Sequence, residues 1–257
     1  MCDVTGVRVL ITGGTSGLGR AMSTALVSGG ARVVLTGRDR ARAVEAAAAI
    51  ATDGSGRAFG VGMDVRTEAS VEEAVAVASD ALGGIDVLVN NAGIGMRTVN
   101  PRFMTDPQPF WMVDPERFRD LFTTNVTGYF LVARAVVPAM LRAGGGKVIN
   151  ISINESTTRR GGFFPYGPSR AATHAMSHVM AADLAGSTVT VNQLAPGGAT
   201  ATGMITEEVG AEIRATLLDP AIMGPPVCWL ASTESDGITD CRVIATEFAS
   251  GIRPLPP

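Results

Sequence analysis

The chain has two tyrosines, and one of them, Tyr166, is followed four residues later by Arg170. On a helix, that spacing puts both side chains on one face. A free phenol has a pKa of about 10, so a neighbouring cation is needed to bring it toward a working pH as an acid or base. A second constellation is Thr12-Gly13-Gly14-Thr15-Ser16-Gly17-Leu18-Gly19, which directly follows an apolar run at 7–11. Glycines there let the backbone approach a ligand, and free N–H groups at a helix start favour an anion such as a pyrophosphate. Taken alone, the loop is equally an ordinary tight turn, and its position between a strand and a helix gives it weight. His174 and His178 also stand four apart, which is a metal-ligand spacing. With no adjacent Glu and no third ligand they read as helix packing, and no metal site is expected.

The elements that must position these groups alternate regularly. Apolar, β-rich runs at 7–11, 32–36, 58–63, 85–89, 147–151, 189–194 and 242–245 read as strands. Ala-rich stretches at 20–28, 40–52, 71–82 and 164–185 read as helices, several closed by glycine pairs such as Gly29-Gly30 and Gly54-Ser55-Gly56. Asp114-Pro115 reads as a cap with a first-turn proline, opening a helix to 141. Residues 97–114, with three prolines and no clear period, read as an irregular excursion. No composition shift or repeat divides the chain, so residues 1–257 are expected to form a single α/β domain. The expected fold is a doubly wound, Rossmann-type domain with a mostly parallel seven-stranded sheet and a site at the carboxyl ends of its strands.

Composition narrows the function. The chain has 257 residues, 46% apolar and 18% charged, with a formal charge of -3. That excludes a disordered chain and argues against nucleic-acid or anionic-lipid partners. No apolar run approaches the ~20 residues of a membrane span, and the first residues lack the pattern of a signal peptide. Three scattered cysteines, Cys2, Cys228 and Cys241, suggest neither disulfides nor zinc. A reducing cytoplasm is the expected compartment, which makes the sequons at Asn125, Asn150 and Asn154 chance matches.

Further pieces fall in order along the chain: Asp64-Val65 after the third strand, Asn90-Asn91-Ala92-Gly93 after the fourth, Asn125 in the next helix, Tyr166 and Arg170, and Pro196-Gly197 after the sixth strand. Together with the glycine loop they make the chain resemble the short-chain dehydrogenase/reductase family over nearly its whole length. The resemblance implies that Gly13, Gly17 and Gly19, with Thr15, Ser16 and Leu18 between them, line a dinucleotide pyrophosphate. It implies that Asp64 and Val65 meet the adenine, that Asn91, Ala92 and Gly93 pass beneath the adenosine ribose, and that Pro196 and Gly197 border the nicotinamide. Tyr166 would be the acid/base, Arg170 its cation and a ribose contact, and Asn125 and Ser152 would support the reacting proton and the substrate oxygen. An NAD site wants an acid at the end of the second strand. Gly37 stands there, followed by Arg38, so the expected cofactor is NADP rather than NAD, with Gly37 leaving room for the 2′-phosphate and Arg38 pairing with it.

Two departures from the family pattern stand out. The lysine expected four residues after the tyrosine is Arg170, which keeps the charge but changes its geometry and cannot release a proton. The serine expected thirteen residues before Tyr166 is Ile153; Ser152 lies one position earlier, where strand alternation would aim it at the opposite face. A bulge, Asn154 or Ser156 could compensate. Phe103, Phe110, Trp111, Phe163, Phe164 and Met204 suggest an apolar pocket for a small-molecule substrate. Arg159 and Arg160 could attract an acidic one, although a solvated turn explains them as well. The loop 198–210 could close on the cofactor. The reading is an NADP(H)-dependent oxidoreductase acting on a carbonyl or secondary alcohol, in a homodimer or homotetramer as the resemblance implies. The alternatives are non-redox lyase, isomerase or cyclase chemistry on the same fold, or a catalytically impaired NADP(H)-binding protein.

Overall fold

Short apolar runs between glycine-rich turns become strands buried on both faces, because helices cover each side of the sheet. The structure is a computed structural model that describes residues 3–50, 56–205 and 209–251. Cys2, Gly54, Ser55 and the tail after Gly251 therefore lie outside the described residues. In chain order the elements are β1 (Arg8–Ile11), α1 (Gly17–Ser28), β2 (Arg32–Gly37), α2 (Arg40–Ala48), β3 (Arg57–Gly62), α3 (Glu68–Leu82) and β4 (Val87–Asn90). They continue with α4 (Pro115–Phe122), α5 (Gly128–Ala143), β5 (Gly146–Ile151), α6 (Glu155–Thr158), α7 (Tyr166–Asp183), β6 (Val189–Ala195), α8 (Ala211–Ala215), α9 (Gly224–Ala231), β7 (Arg242–Ile244) and α10 (Ala245–Ala249).

The seven strands form one sheet in the order β3-β2-β1-β4-β5-β6-β7, and every pairing is parallel. Strand order reverses between β1 and β4, where Ile11 pairs with Val89. That switch point opens a crevice at the carboxyl ends of the strands. Alternate side chains feed two cores. Val9, Ile11, Val33, Leu35 and Val89 pack with Met22 and Leu26 of α1 and Leu230 of α9. Leu10, Val34, Leu88 and Val148 face the other way, onto Val71 of α3 and Val132, Val136 and Met140 of α5. Each fully buried aliphatic side chain contributes roughly 1.5–3 kcal/mol, so a one-residue slip in any strand would forfeit several such terms.

The helix expected from Asp114-Pro115 forms as read. The Asp114 carboxylate accepts from the backbone N–H groups of Glu116 (2.7 Å) and Arg117 (3.2 Å). The helical run continues from Pro115 to Ala143 but is broken by a π-helical segment at Thr123–Thr127. At 29 residues it is long and apolar enough to pass for a membrane span, unlike the shorter apolar runs seen in sequence. Its inner face supplies Leu121, Val132, Val136 and Met140 to the interior, as a core helix does. Helix α7 starts at Tyr166 rather than at 164, with Pro165 as the residue before its first turn. The excursion at 97–114 is irregular apart from one-turn helices at Met96–Thr98 and Phe110–Met112.

Candidate active site

A cleft of about 740 Å³ runs across the carboxyl ends of the strands. One half is built from backbone. Gly13, with φ +65°, turns so tightly that a Cβ there would come within 2.9 Å of the Ala92 Cα. The Thr12 hydroxyl accepts from the backbone N–H groups of both Asn91 and Ala92 at 2.9 Å. The Asn91 amide donates to the carbonyls of Thr12 (2.8 Å) and Gly13 (3.0 Å). The two loops are thus locked together beneath the cleft. At the start of α1, Ser16 makes no side-chain cap and no acidic residue occupies the first turn. The first N–H groups of the helix are left to face a ligand, which fits a pyrophosphate. Thr15, Ser16, Gly17, Leu18, Gly19, Arg38, Asp64, Val65, Ala92 and Gly93 all line this half.

Two contacts in this half were not visible in the sequence. The space where a side chain at Gly37 would sit is filled by the Thr15 methyl, 2.7 Å from a Cβ built there. Gly37 therefore lets the loop pack against β2, and both Gly37 and the exposed Arg38 border the cleft. Asp64, expected to meet the adenine, borders the cleft and also accepts from Arg66, with Nε to Oδ1 at 2.9 Å and Nη2 to Oδ2 at 2.6 Å. The bonds from Arg66 hold the Asp64 carboxyl below its usual range, with Arg38 adding to the effect.

At the centre of the cleft, α7 presents Tyr166 and Arg170 as the spacing predicted. The guanidinium carbon lies 5.4 Å from the Tyr166 ring centroid. Arg170 is only 3% exposed, and among the described residues no carboxylate pairs with it. Its Nη1 donates to the Tyr129 hydroxyl (3.0 Å) and to the Ile151 carbonyl (3.3 Å). Burial by itself would pull the guanidinium down, but Tyr129 and Tyr166 outweigh it and hold the cation above its ordinary range. Tyr129 was missed in the sequence. The available signal was its position one helical turn after Asn125, as the only other tyrosine in the chain.

Asn125 and Gly197 sit behind the cleft wall. Asn125, wholly buried in the π-helical segment, accepts from the Ile94 N–H (2.9 Å) and donates to the Ile94 carbonyl (2.9 Å) and to the Ser169 hydroxyl (3.2 Å). Its amide is fully engaged in holding the chain beside Gly93. Gly197 packs on Thr246, and its carbonyl accepts from the Asn154 amide at 2.9 Å. Strand β5 ends at Ile151, so alternation does not carry over to Ser152; Ser152, Ile153 and Asn154 all border the cleft. Ser156 is exposed on α6. Arg242 Nη2 donates to the Ile153 carbonyl at 2.5 Å and pins this segment.

The substrate half is made of side chains. Met96, Phe103 and Phe163 form a small buried cluster, with Met104 and Tyr166 packed against it. Phe103, Phe163 and Met204 line the cleft as expected, but Phe110, Trp111 and Phe164 do not. Phe110 and Trp111 are 61% and 73% exposed, because the turn at 110–112 swings outward to meet Phe164, which stacks on Phe118. Arg160 borders the cleft, its guanidinium 4.5 Å from the Phe163 ring centroid, whereas Arg159 pairs with Glu155. The loop after β6 supplies Thr202, Gly203 and Met204; part of it, 206–208, lies outside the described residues. The rings of His174 and His178 lie 4.8 Å apart and tilted by 51°, and His178 meets Asp240 at 2.5 Å. Among the described residues no group of three possible metal ligands gathers.

Comparison with known proteins fits this geometry. A family model described as short chain dehydrogenase matches residues 7–212. Gluconate 5-dehydrogenase of Gluconobacter oxydans is 32% identical over 195 residues, which is 76% of this chain and 72% of that protein. The 3-oxoacyl-acyl-carrier-protein reductase of Aquifex aeolicus is 32% identical over 202 residues, 78% of this chain and 77% of its own. The crystal structure of the 3-ketoacyl-acyl-carrier-protein reductase of Brucella melitensis, complexed with NADH, superposes with a TM-score of 0.81 at 28% identity, covering 94% of this chain and 97% of that one.

Proposed function

From the premise that the chain belongs to the short-chain dehydrogenase family, we propose that it is an NADP(H)-dependent oxidoreductase of small carbonyl compounds or secondary alcohols. The observation that carries this reading is the meeting of a phenol and a permanent cation, Tyr166 and Arg170, in the middle of a cleft that begins at an uncapped helix start. The glycine loop and the first turn of α1 would hold the pyrophosphate, Val65 and Ala92 the adenosine, Arg170 the nicotinamide ribose, and Pro196 the nicotinamide. Arg38 at the rim, with no acid at position 37, supports NADP over NAD. The bound cofactor supplies or accepts a hydride.

The protein's own part is the proton. In reduction, the Tyr166 hydroxyl donates its proton to the substrate oxygen, and Arg170 favours the phenolate left behind. Because a guanidinium does not deprotonate, Arg170 holds charge without relaying the proton, so Tyr166 is reprotonated from the solvent in the cleft. The Ser152 hydroxyl is the second donor to the substrate oxygen, and Asn125 acts by holding Ile94 in place. The substrate's body lies on Phe103, Met96 and Phe163, with Arg160 near any anionic end; gluconate, named for one relative, is such an anion. Cys228 and Cys241, buried as thiols, support a reducing compartment, and exposed Phe130 and Leu141 on α5 and Val179 on α7 support a homo-oligomer packed through these helices. The test is NADPH consumption against a panel of ketones and keto acids: turnover that is lost in Tyr166→Phe is expected, and NADPH binding without turnover of any carbonyl would leave only a binding protein.

A further inference from the structure

Arg170 is a buried cation with no anion beside it among the described residues, which is costly unless its donors are satisfied. Its two terminal nitrogens meet different neighbours. Nη1 points inward to the Tyr129 hydroxyl and the Ile151 carbonyl. Nη2 lies against Gly93, so close that a Cβ there would be 2.4 Å from it. Nε has no partner. Tyr129 is 1% exposed, and its hydroxyl also donates to the Ile151 carbonyl at 3.3 Å, closing a three-membered set of contacts beneath the cleft. The guanidinium lies between two phenol rings, 5.6 Å from that of Tyr129 and 5.4 Å from that of Tyr166.

We propose that Tyr129 is a positioning residue: its hydroxyl anchors one arm of the Arg170 fork inward, so that the other arm is presented to the cleft at Gly93 and the cation stays beside Tyr166. The pair works only with arginine. A lysine in its place would end near the guanidinium carbon, about one C–N bond (~1.3 Å) short of Nη1. The 3.0 Å bond to Tyr129 would then open beyond hydrogen-bond range. Without the Tyr129 hydroxyl, Nη1 keeps a single acceptor inside, and the fork relaxes toward water in the cleft and away from Tyr166.

The experiment is a double-mutant cycle of Tyr129→Phe and Arg170→Lys, with two readouts. The first uses the cofactor-free protein and follows the Tyr166 ring signal by NMR of labelled tyrosine at neutral pH. Tyr129→Phe is expected to move that ring signal, as the guanidinium beside it relaxes, when Arg170 is intact and not in the Arg170→Lys background. The second is NADPH affinity, which Tyr129→Phe is expected to weaken about tenfold when Arg170 is intact and less than about twofold in the Arg170→Lys background. Equal effects in both backgrounds, or no movement of the Tyr166 signal specific to intact Arg170, would overturn the proposal and reduce Tyr129 to core filling. If Tyr129→Phe does not fold, the native protein still decides: separate, slowly exchanging Arg170 Nη signals are expected, and a single averaged set would contradict the anchor. The NADPH arm rests on the proposed function; the cofactor-free spectrum does not, so wild-type protein that fails to bind NADPH would sink that function and leave Tyr129 to be judged alone.

Discussion

The two halves of the cleft are made of different material. The dinucleotide half is backbone: strand ends, a glycine turn and a bare helix start, tied by Thr12 and Asn91. The substrate half is side chain, with methionines, phenylalanines and Arg160 carried on an irregular excursion and on the segments around α6. Backbone sites follow from the sheet's topology and tolerate few sequences. Side-chain sites can be rebuilt without disturbing the sheet, which is where one fold acquires different substrates. Tyr166 and Arg170 sit at the seam.

The sharpest break of that comparison is at the seam. Tyr166→Phe should cut turnover by about 10²–10⁴-fold while NADPH affinity stays within a few-fold, checked by steady-state rates and fluorescence titration. An equal loss in both would put Tyr166 in the binding half. Next comes the backbone half's one charged specificity group: Arg38→Ala should weaken NADPH binding by about 10–100-fold and leave NADH unchanged. Equal weakening of both dinucleotides would remove Arg38 from 2′-phosphate recognition. On the substrate side, Arg160→Gln should lower kcat/KM for keto acids by about fivefold and spare neutral ketones of the same length, since an exposed charge is worth little. An unchanged ratio would make Arg160 a solvated turn residue.

The smallest effect expected is on stability. Arg66 holds the Asp64 carboxyl below its usual range; burial pushes Asp86 up, but its bonds from Arg8 outweigh that and hold it low as well. A carboxyl lowered by folding stabilises the protein above its unfolded value, about 3.9, and that contribution is lost as pH falls through the folded value. The melting temperature should therefore drop below about pH 4, less steeply in Arg8→Gln, which loses part of the effect already at neutral pH. A wild-type melting temperature that stays flat down to about pH 3 would contradict this.

The backbone half was legible in the sequence because each of its parts has a local signature. The glycine loop follows an apolar run, Asp114-Pro115 marks a helix start, and apolar strands without alternation indicate a sheet covered on both faces. What escaped were contacts between elements distant in the chain. Tyr129 lies 41 residues from Arg170, and the packing of the π-helical segment at Thr123–Thr127 against α7 brings them together. The Thr15 methyl fills the space at Gly37, and Arg66 engages Asp64, for reasons that loop geometry decides. Aromatic content marked the excursion as a substrate wall, but composition could not say that Phe110 and Trp111 turn outward while Phe103 turns in. Ser152 and Ile153 both border the cleft just past the end of β5, so alternation alone did not decide between them.

Binding of the reduced dinucleotides to the purified protein, followed by fluorescence or calorimetry, tests the central claim most directly. The account predicts saturable NADPH binding, at least about tenfold tighter than NADH, that is weakened by Arg170→Ala. No saturable signal with either dinucleotide would contradict it.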